Sequence, residues 1–134
     1  MHSLDDIQSI SFPRHAKEDS FLVIYESGKT VPFLMHRVFV IDAETACERG
    51  EHAHRLCTQI MVVLRGECTI TCDDGMAKQS FTLKESSNGL LIPPGLWAGL
   101  SYQPKTLLMV LTDIPFDEAE YIRDYRAFLD YRNN

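Results

Sequence analysis

Up to residue 112 the chain alternates short apolar runs with turn-forming residues. "SFLVIYE" (20–26) stops at "SGK", and "PFLMHRVFVID" (32–42) follows, rich in β-branched and aromatic side chains. "QIMVVLRGECTITC" (59–72) reads as two strands joined tightly at Arg65–Gly66. The "DDG" after it is a turn in which Gly75 is free to take a positive φ. "KQSFTLK" (78–84) is a further strand, "SSNG" turns the chain into "LLI" (90–92), and "PPG" turns it again. "TLLMVLT" (106–112) is apolar nearly throughout, the pattern of a strand buried on both faces. Many short strands with this density of turns predict an all-β sandwich or barrel.

The period then changes. In "FDEAEYIRDYRAFLDY" (116–131) the apolar residues Tyr121, Ile122, Tyr125, Phe128 and Leu129 fall at helical spacing, with charges between them. Asp117, with Glu120 three residues on, resembles a capping box at the start of such a helix. No repeat or linker interrupts the sequence. Its 134 residues predict one domain spanning 1–134, large enough to bury a core without disulfides or a structural metal.

Composition narrows the partners. A net charge of -6 argues against non-specific nucleic-acid binding and leaves an anionic ligand to locally placed Arg or Lys side chains. No stretch has the length of a membrane span, and the acidic start "MHSLDDIQ" is unlike a signal peptide. The four cysteines form no C-x-x-C pair, which predicts reduced thiols in a cytoplasmic protein. Cys68 and Cys72 share one strand face, and packing accounts for them better than zinc does.

The chemistry concentrates in "RGEHAHRLCTQ" (49–59). His52 and His54, two apart on a strand, project to the same face, with Ala53 on the other. Gln59 follows His54 by five residues and Gly66 follows Gln59 by seven; in "PPGLWA", Gly95 follows Pro93 by two and Ala98 follows Gly95 by three. These spacings resemble the two cupin motifs. Gln59, however, stands where metal-binding cupins carry glutamate, and Ala98 where they carry the last histidine. Two imidazoles and a neutral amide are a poor set for catalytic zinc or iron.

More of the chain, from about Phe21 to Tyr131, resembles one cupin family, the WxcM-like nucleotide-sugar 3,4-ketoisomerases that act on dTDP-4-keto-6-deoxyglucose and related sugars. The matching stretches are "PFLMHRVFVI", "RGEHAHR", "QIMVVLRGECTITCDDG", "LIPPGLWAGL" and "DEAEYIRDYRAFLDY". The resemblance implies a cupin-type double-stranded β-helix (a jelly-roll barrel) with a short C-terminal helix. It implies a homodimer that exchanges N-terminal strands, metal-independent chemistry with no cofactor, and a dTDP-linked keto-deoxysugar as substrate in deoxy- or amino-sugar biosynthesis. It also implies that His52 and His54 are the catalytic pair.

Residue chemistry points the same way. Moving a carbonyl from C4 to C3 through an enediol needs a base that titrates near neutrality, which histidine supplies, and a donor for the developing enediolate. His52 is the expected carbon base, with His54 shuttling or orienting the proton. Arg49, then Arg37, are candidates for gripping substrate phosphate or sugar oxygens, with a rim salt bridge as the alternative role. Gln59 and Trp97 complete the candidate substrate contacts, Trp97 as a pocket wall or a stacking surface unless it packs in the core. Three positions depart from the family pattern: Asp19 in place of arginine, Phe39–Val40 where a tyrosine is common, and Ala98 where histidine often stands. A non-catalytic nucleotide-sugar-binding module and a sugar 3,5-epimerase are the other two readings.

Overall fold

The computed structural model describes residues 1–134. The alternating apolar runs resolve into twelve strands: β1 (Gln8–Ser11), β2 (Arg14–Lys17), β3 (Ser20–Val23), β4 (Arg37–Ala43), β5 (Cys47–His54), β6 (Gln59–Arg65), β7 (Cys68–Asp73), β8 (Lys78–Leu83), β9 (Asn88–Ile92), β10 (Trp97–Tyr102), β11 (Thr106–Thr112) and β12 (Tyr121–Ile122). One helix, α1 (Tyr125–Arg132), ends the chain. The strands form two five-stranded sheets, ordered β1-β9-β6-β11-β4 and β12-β5-β10-β7-β8, and a separate β2–β3 hairpin. Every strand pair is antiparallel. Consecutive strands largely sit in opposite sheets, which is the jelly-roll arrangement the cupin resemblance implies.

The core lies between the two sheets. Met61 and Val63 on β6, Ile70 on β7, Leu90 and Ile92 on β9, and Leu108 and Val110 on β11 meet there. Their neighbours Ile60, Val62 and Leu111 face outward yet are fully buried, because Phe12 and the irregular segment around Val31 lie over them. That double burial is why β6 and β11 read as nearly continuous apolar runs. Cys68 and Cys72 are buried free thiols of the inner layer, as their spacing predicts, and burial pushes both up to about 12.

The Arg65–Gly66 connection does not fold its two strands onto each other; it carries the chain from one sheet to the other. Gly66 adopts φ +90, and a Cβ there would sit 2.5 Å from Thr106 Oγ1, so the crossing needs glycine. Gly75, at φ +95, turns β7 into β8 as expected.

Two segments differ from their sequence pattern. Only Ser20–Val23 of "SFLVIYE" and only the part of "PFLMHRVFVID" from Arg37 onward are strand. The chain between them folds locally instead: Thr30 Oγ1 donates to the Ile24 carbonyl (3.0 Å) and accepts from the Glu26 N–H (2.8 Å), which leaves Val31 free to cover the sheet. The helix starts at Tyr125, not near Phe116, and Asp124 caps it by accepting from the Ala127 N–H (3.0 Å). Asp117 caps only a three-residue 3₁₀ turn, Glu118–Glu120. Tyr121 and Ile122 are drawn out of the helical pattern to pair with His54 and Ala53 of β5. No helix is long and apolar enough to cross a membrane.

Candidate active site

β5 delivers both histidines from one face, as alternation requires. His52 Nε2 lies 3.1 Å from His54 Nε2, and the rings meet edge to face. His54 is buried, and its Nδ1 is hydrogen-bonded to Glu120 Oε1. Glu120, also buried, is held in turn by the backbone N–H groups of Leu56 (3.1 Å) and Cys57 (3.3 Å), both on Oε2. Burial pushes the Glu120 carboxyl up, but the bonds from His54 and from these amides outweigh it and hold it below its usual range. Burial depresses both histidines: His52 falls to about 4, aided by its neighbour His54, and His54 falls despite the Glu120 carboxylate.

These directions fix the protons. At neutral pH Glu120 only accepts, so His54 Nδ1 carries a hydrogen. A neutral His54 then presents a lone pair at Nε2, which accepts from His52 Nε2–H. His52 Nδ1 is left as an unprotonated nitrogen, and His52 lines the pocket. The three residues thus form a chain, His52–His54–Glu120, that orients a free base and can spread the charge of a captured proton.

The pocket, of about 220 Å³, opens into the barrel between the two sheets. Phe39, Ile41, Met61 and Val110 supply apolar lining; His52, Tyr121 and the cations Arg37, Arg49 and Arg123 supply polar lining. Arg49 reaches it through a defect in the sheet. It is three residues from His52, so strict alternation would aim it at the opposite face. Ala98 pairs with His52 and Leu100 with Arg49, so Gly99 alone faces Gly50 and Glu51. Gly50 takes φ +73 to make this bulge, and a Cβ there would lie 2.9 Å from Leu100 Cδ1. The extra residue turns Arg49 back to the His52 side.

Neither Arg37 nor Arg49 forms an ion pair with a carboxylate, so the rim salt bridge is not what holds them. Arg37 instead lies over the Phe39 and Phe116 rings and donates to Tyr121 Oη (3.3 Å). Arg123 is neutralised by a two-pronged pairing with Glu118 (2.6 and 2.9 Å). Two unpaired guanidiniums beside a neutral base favour an anionic ligand.

Gln59 is in the pocket wall, with Ala98 across from His52. Trp97 is not brought there. One residue from Ala98, it faces the other side of the sheet and packs against Tyr125 and Phe128 (ring centroids 5.2 and 5.6 Å), so its role is to seat α1. Of the other departures, Phe39 lines the pocket while Val40 points outward and is exposed. Asp19 lies in the turn between β2 and β3, outside this pocket.

Glu120, Tyr121, Phe116 and Arg123 are absent from the sequence-derived set. In the sequence Glu120 reads as the capping-box partner of Asp117; in the structure its carboxylate instead reaches His54. His54, Cys57 and Glu120 offer donor atoms within 4.8 Å of one another, the one arrangement with metal-ligand composition. Both Glu120 oxygens are already hydrogen-bonded, and burial pushes the Cys57 thiol up to about 12, which opposes the thiolate a metal needs. Hydrogen bonding, not coordination, is what this donor set fits.

Fold and site together define a cupin-type barrel with a hydrogen-bonded histidine pair at a pocket lined by arginines. The chain matches the family described as FdtA, WxcM-like, C-terminal, over residues 5–133, and it belongs to that family. It is 35% identical over 124 residues to TDP-4-oxo-6-deoxy-alpha-D-glucose-3,4-oxoisomerase of Aneurinibacillus thermoaerophilus, covering 91% of this chain and 89% of the relative. Among solved structures it is similar to QdtA, a sugar 3,4-ketoisomerase from Thermoanaerobacterium thermosaccharolyticum in complex with TDP (TM-score 0.93, 27% identity, 98% of this chain and 97% of that one). It is also similar to WlaRA, a TDP-fucose-3,4-ketoisomerase from Campylobacter jejuni (TM-score 0.87, 31% identity, 96% and 97%).

Proposed function

We propose that the protein isomerises a TDP-linked 4-keto-6-deoxyhexose to its 3-keto isomer, without a metal or other cofactor. The observation that carries this reading is the His52–His54–Glu120 chain, whose outer member His52 lines a pocket flanked by unpaired Arg37 and Arg49. His52 Nδ1 takes the proton at C3, which the neighbouring ketone acidifies, and returns a proton to C4. His54 and Glu120 hold the imidazole in the required tautomer and stabilise its cation. Arg49 and Arg37 receive the diphosphate or sugar oxygens, and Gln59 contacts the sugar from the pocket wall. The relatives named as 3,4-ketoisomerases support this reading over a passive binding module or a 3,5-epimerase.

The same reading includes a homodimer with exchanged N-terminal strands. β2 and β3 pair only with each other, nearly every residue in them is exposed, and they carry exposed Phe21 and Leu22. β4 is a sheet edge with Val38 and Val40 exposed on its outer side. An unpaired hairpin and an apolar open edge are complementary features for two copies of one chain. Light scattering after size-exclusion chromatography tests it; a monomer of 15.3 kDa at micromolar concentration is the opposing result.

The activity is tested by incubating the protein with dTDP-4-keto-6-deoxyglucose in D2O and following the sugar by NMR. A 3-keto product carrying deuterium at C4 is expected. Exchange at C5 would indicate epimerisation, and binding without exchange a module.

A further inference from the structure

Three of the four thiols are inaccessible: Cys57, Cys68 and Cys72 are buried, and burial pushes each up to about 12. Cys47 alone is exposed. We infer that Cys47 is a modification site for peroxides, and that the anionic sulfur group it becomes draws on Arg49 and weakens the pocket's hold on an anionic ligand. The second half rests on the nucleotide-sugar reading above.

The placement of Cys47 carries this. It opens β5 two residues before Arg49, and it pairs with Tyr102 as Arg49 pairs with Leu100. The bulge lies beyond Arg49, so alternation is intact over 47–49. The thiol and the guanidinium therefore share one face, roughly 7 Å apart along the strand. Arg49 lines the pocket and has no carboxylate partner, so a new anion beside it meets no competitor.

Tyr102 is a second and independent feature. It is fully buried, its hydroxyl finds no hydrogen-bond partner, and it stands opposite Cys47 on the same face. Both Cys47 and Arg49 lie within electrostatic reach of the phenol, and burial raises it above its usual range, so it stays protonated. A buried donor without an acceptor costs free energy. An oxygen bound to the Cys47 sulfur would be an acceptor on its own side of the sheet.

The step balances. The Cys47 thiolate attacks one oxygen of hydrogen peroxide; the S–O bond forms as the O–O bond breaks, and the displaced hydroxide takes the proton the thiol gave up and leaves as water. A second peroxide converts the sulfenic acid to the sulfinic acid in the same way, and that acid is ionised at neutral pH. Sulfur is oxidised and peroxide reduced each time, and no other reactant enters.

Two adducts of equal size separate charge from bulk. Iodoacetate leaves an anionic carboxymethyl group on a thiol, and iodoacetamide a neutral carbamidomethyl group. Peptide mass spectrometry should place either group on Cys47, and dilute hydrogen peroxide should add oxygen to the same residue and none to Cys47→Ser at that position. TDP affinity is then measured by calorimetry. The carboxymethyl protein should bind TDP about 5-fold more weakly than the carbamidomethyl protein, the scale of an exposed ion pair. In Arg49→Ala the two adducts should bind alike. A wild-type difference under about 2-fold, a difference undiminished in R49A, or oxidation that spares Cys47 overturns the inference. The unmodified protein tests the underlying reading by itself: no TDP binding there ends both, whereas TDP binding that ignores the adducts ends this inference alone.

Discussion

The two faces of the β12-β5-β10 sheet, built from alternate residues of the same strands, have opposite physics. On the barrel side, His52, Ala98 and Tyr121 line open space with His54 buried behind His52, and the polar groups bond to one another or stay free. On the other side Ala53, Trp97, Ile122 and Phe128 make a dry cluster that fastens α1. On the function proposed above, the polar residues of the first face serve the chemistry more than the folding. A residue of the second is the reverse, although the two differ by one position in sequence. Ala53, between the two histidines in sequence, points to the other face and is fully buried with Ile122 and Phe128.

Substitutions on each face separate the two roles. The largest effect belongs to His52→Asn: turnover should drop by 10³-fold or more (~4 kcal/mol), while melting temperature and TDP binding change little. Measurable turnover within ten-fold of wild type would remove His52 from the mechanism. On the other face, Phe128→Ala should cost about 3–5 kcal/mol of stability, read by urea unfolding, because it empties a fully buried aromatic site; any surviving folded protein keeps its pocket chemistry. Glu120→Gln lies between the two cases. It retains a shape that can accept from His54 but loses the charge, so kcat should fall by roughly 10–100-fold with KM nearly unchanged. An unchanged kcat would reduce the carboxylate to a loop anchor.

The smallest effect is a pH slope. The His52 imidazole sits near 6.5 in the unfolded chain and about 4 in the folded one. Between those values the unfolded chain therefore binds more protons, and stability falls as pH drops through that window. His54 is shifted the same way and adds to the slope. His52→Asn should make the fall in melting temperature between pH 6.5 and 4 shallower; a slope equal to wild type would place the titration elsewhere. In activity, kcat/KM of the wild type should stay level from pH 8 to about 5.5 and decline only in stronger acid.

The faces also mark how far the sequence could be followed. Strand alternation and turn residues suffice for an all-β sandwich or barrel, for the shared face of Cys68 and Cys72, and for the common direction of His52 and His54. Alternation fails wherever a neighbouring strand sets the geometry. Trp97 is next to a pocket residue in sequence and on the far side of the sheet in space. Arg49 is in the pocket only because Gly50 bulges. Helical spacing in 116–131 is real from Tyr125 onward, but pairing with β5 overrides it at Tyr121 and Ile122.

The sequence by itself determined an all-β domain and two histidines on one strand face, which follow from local period, and its motifs resembled one family; neither needs a partner strand. Only the tertiary structure decided which carboxylate orients His54, which phenol faces the base, and which of Arg49 and Trp97 enters the pocket. Each of these depends on register between strands distant in the chain, where a shift of one residue exchanges the two faces.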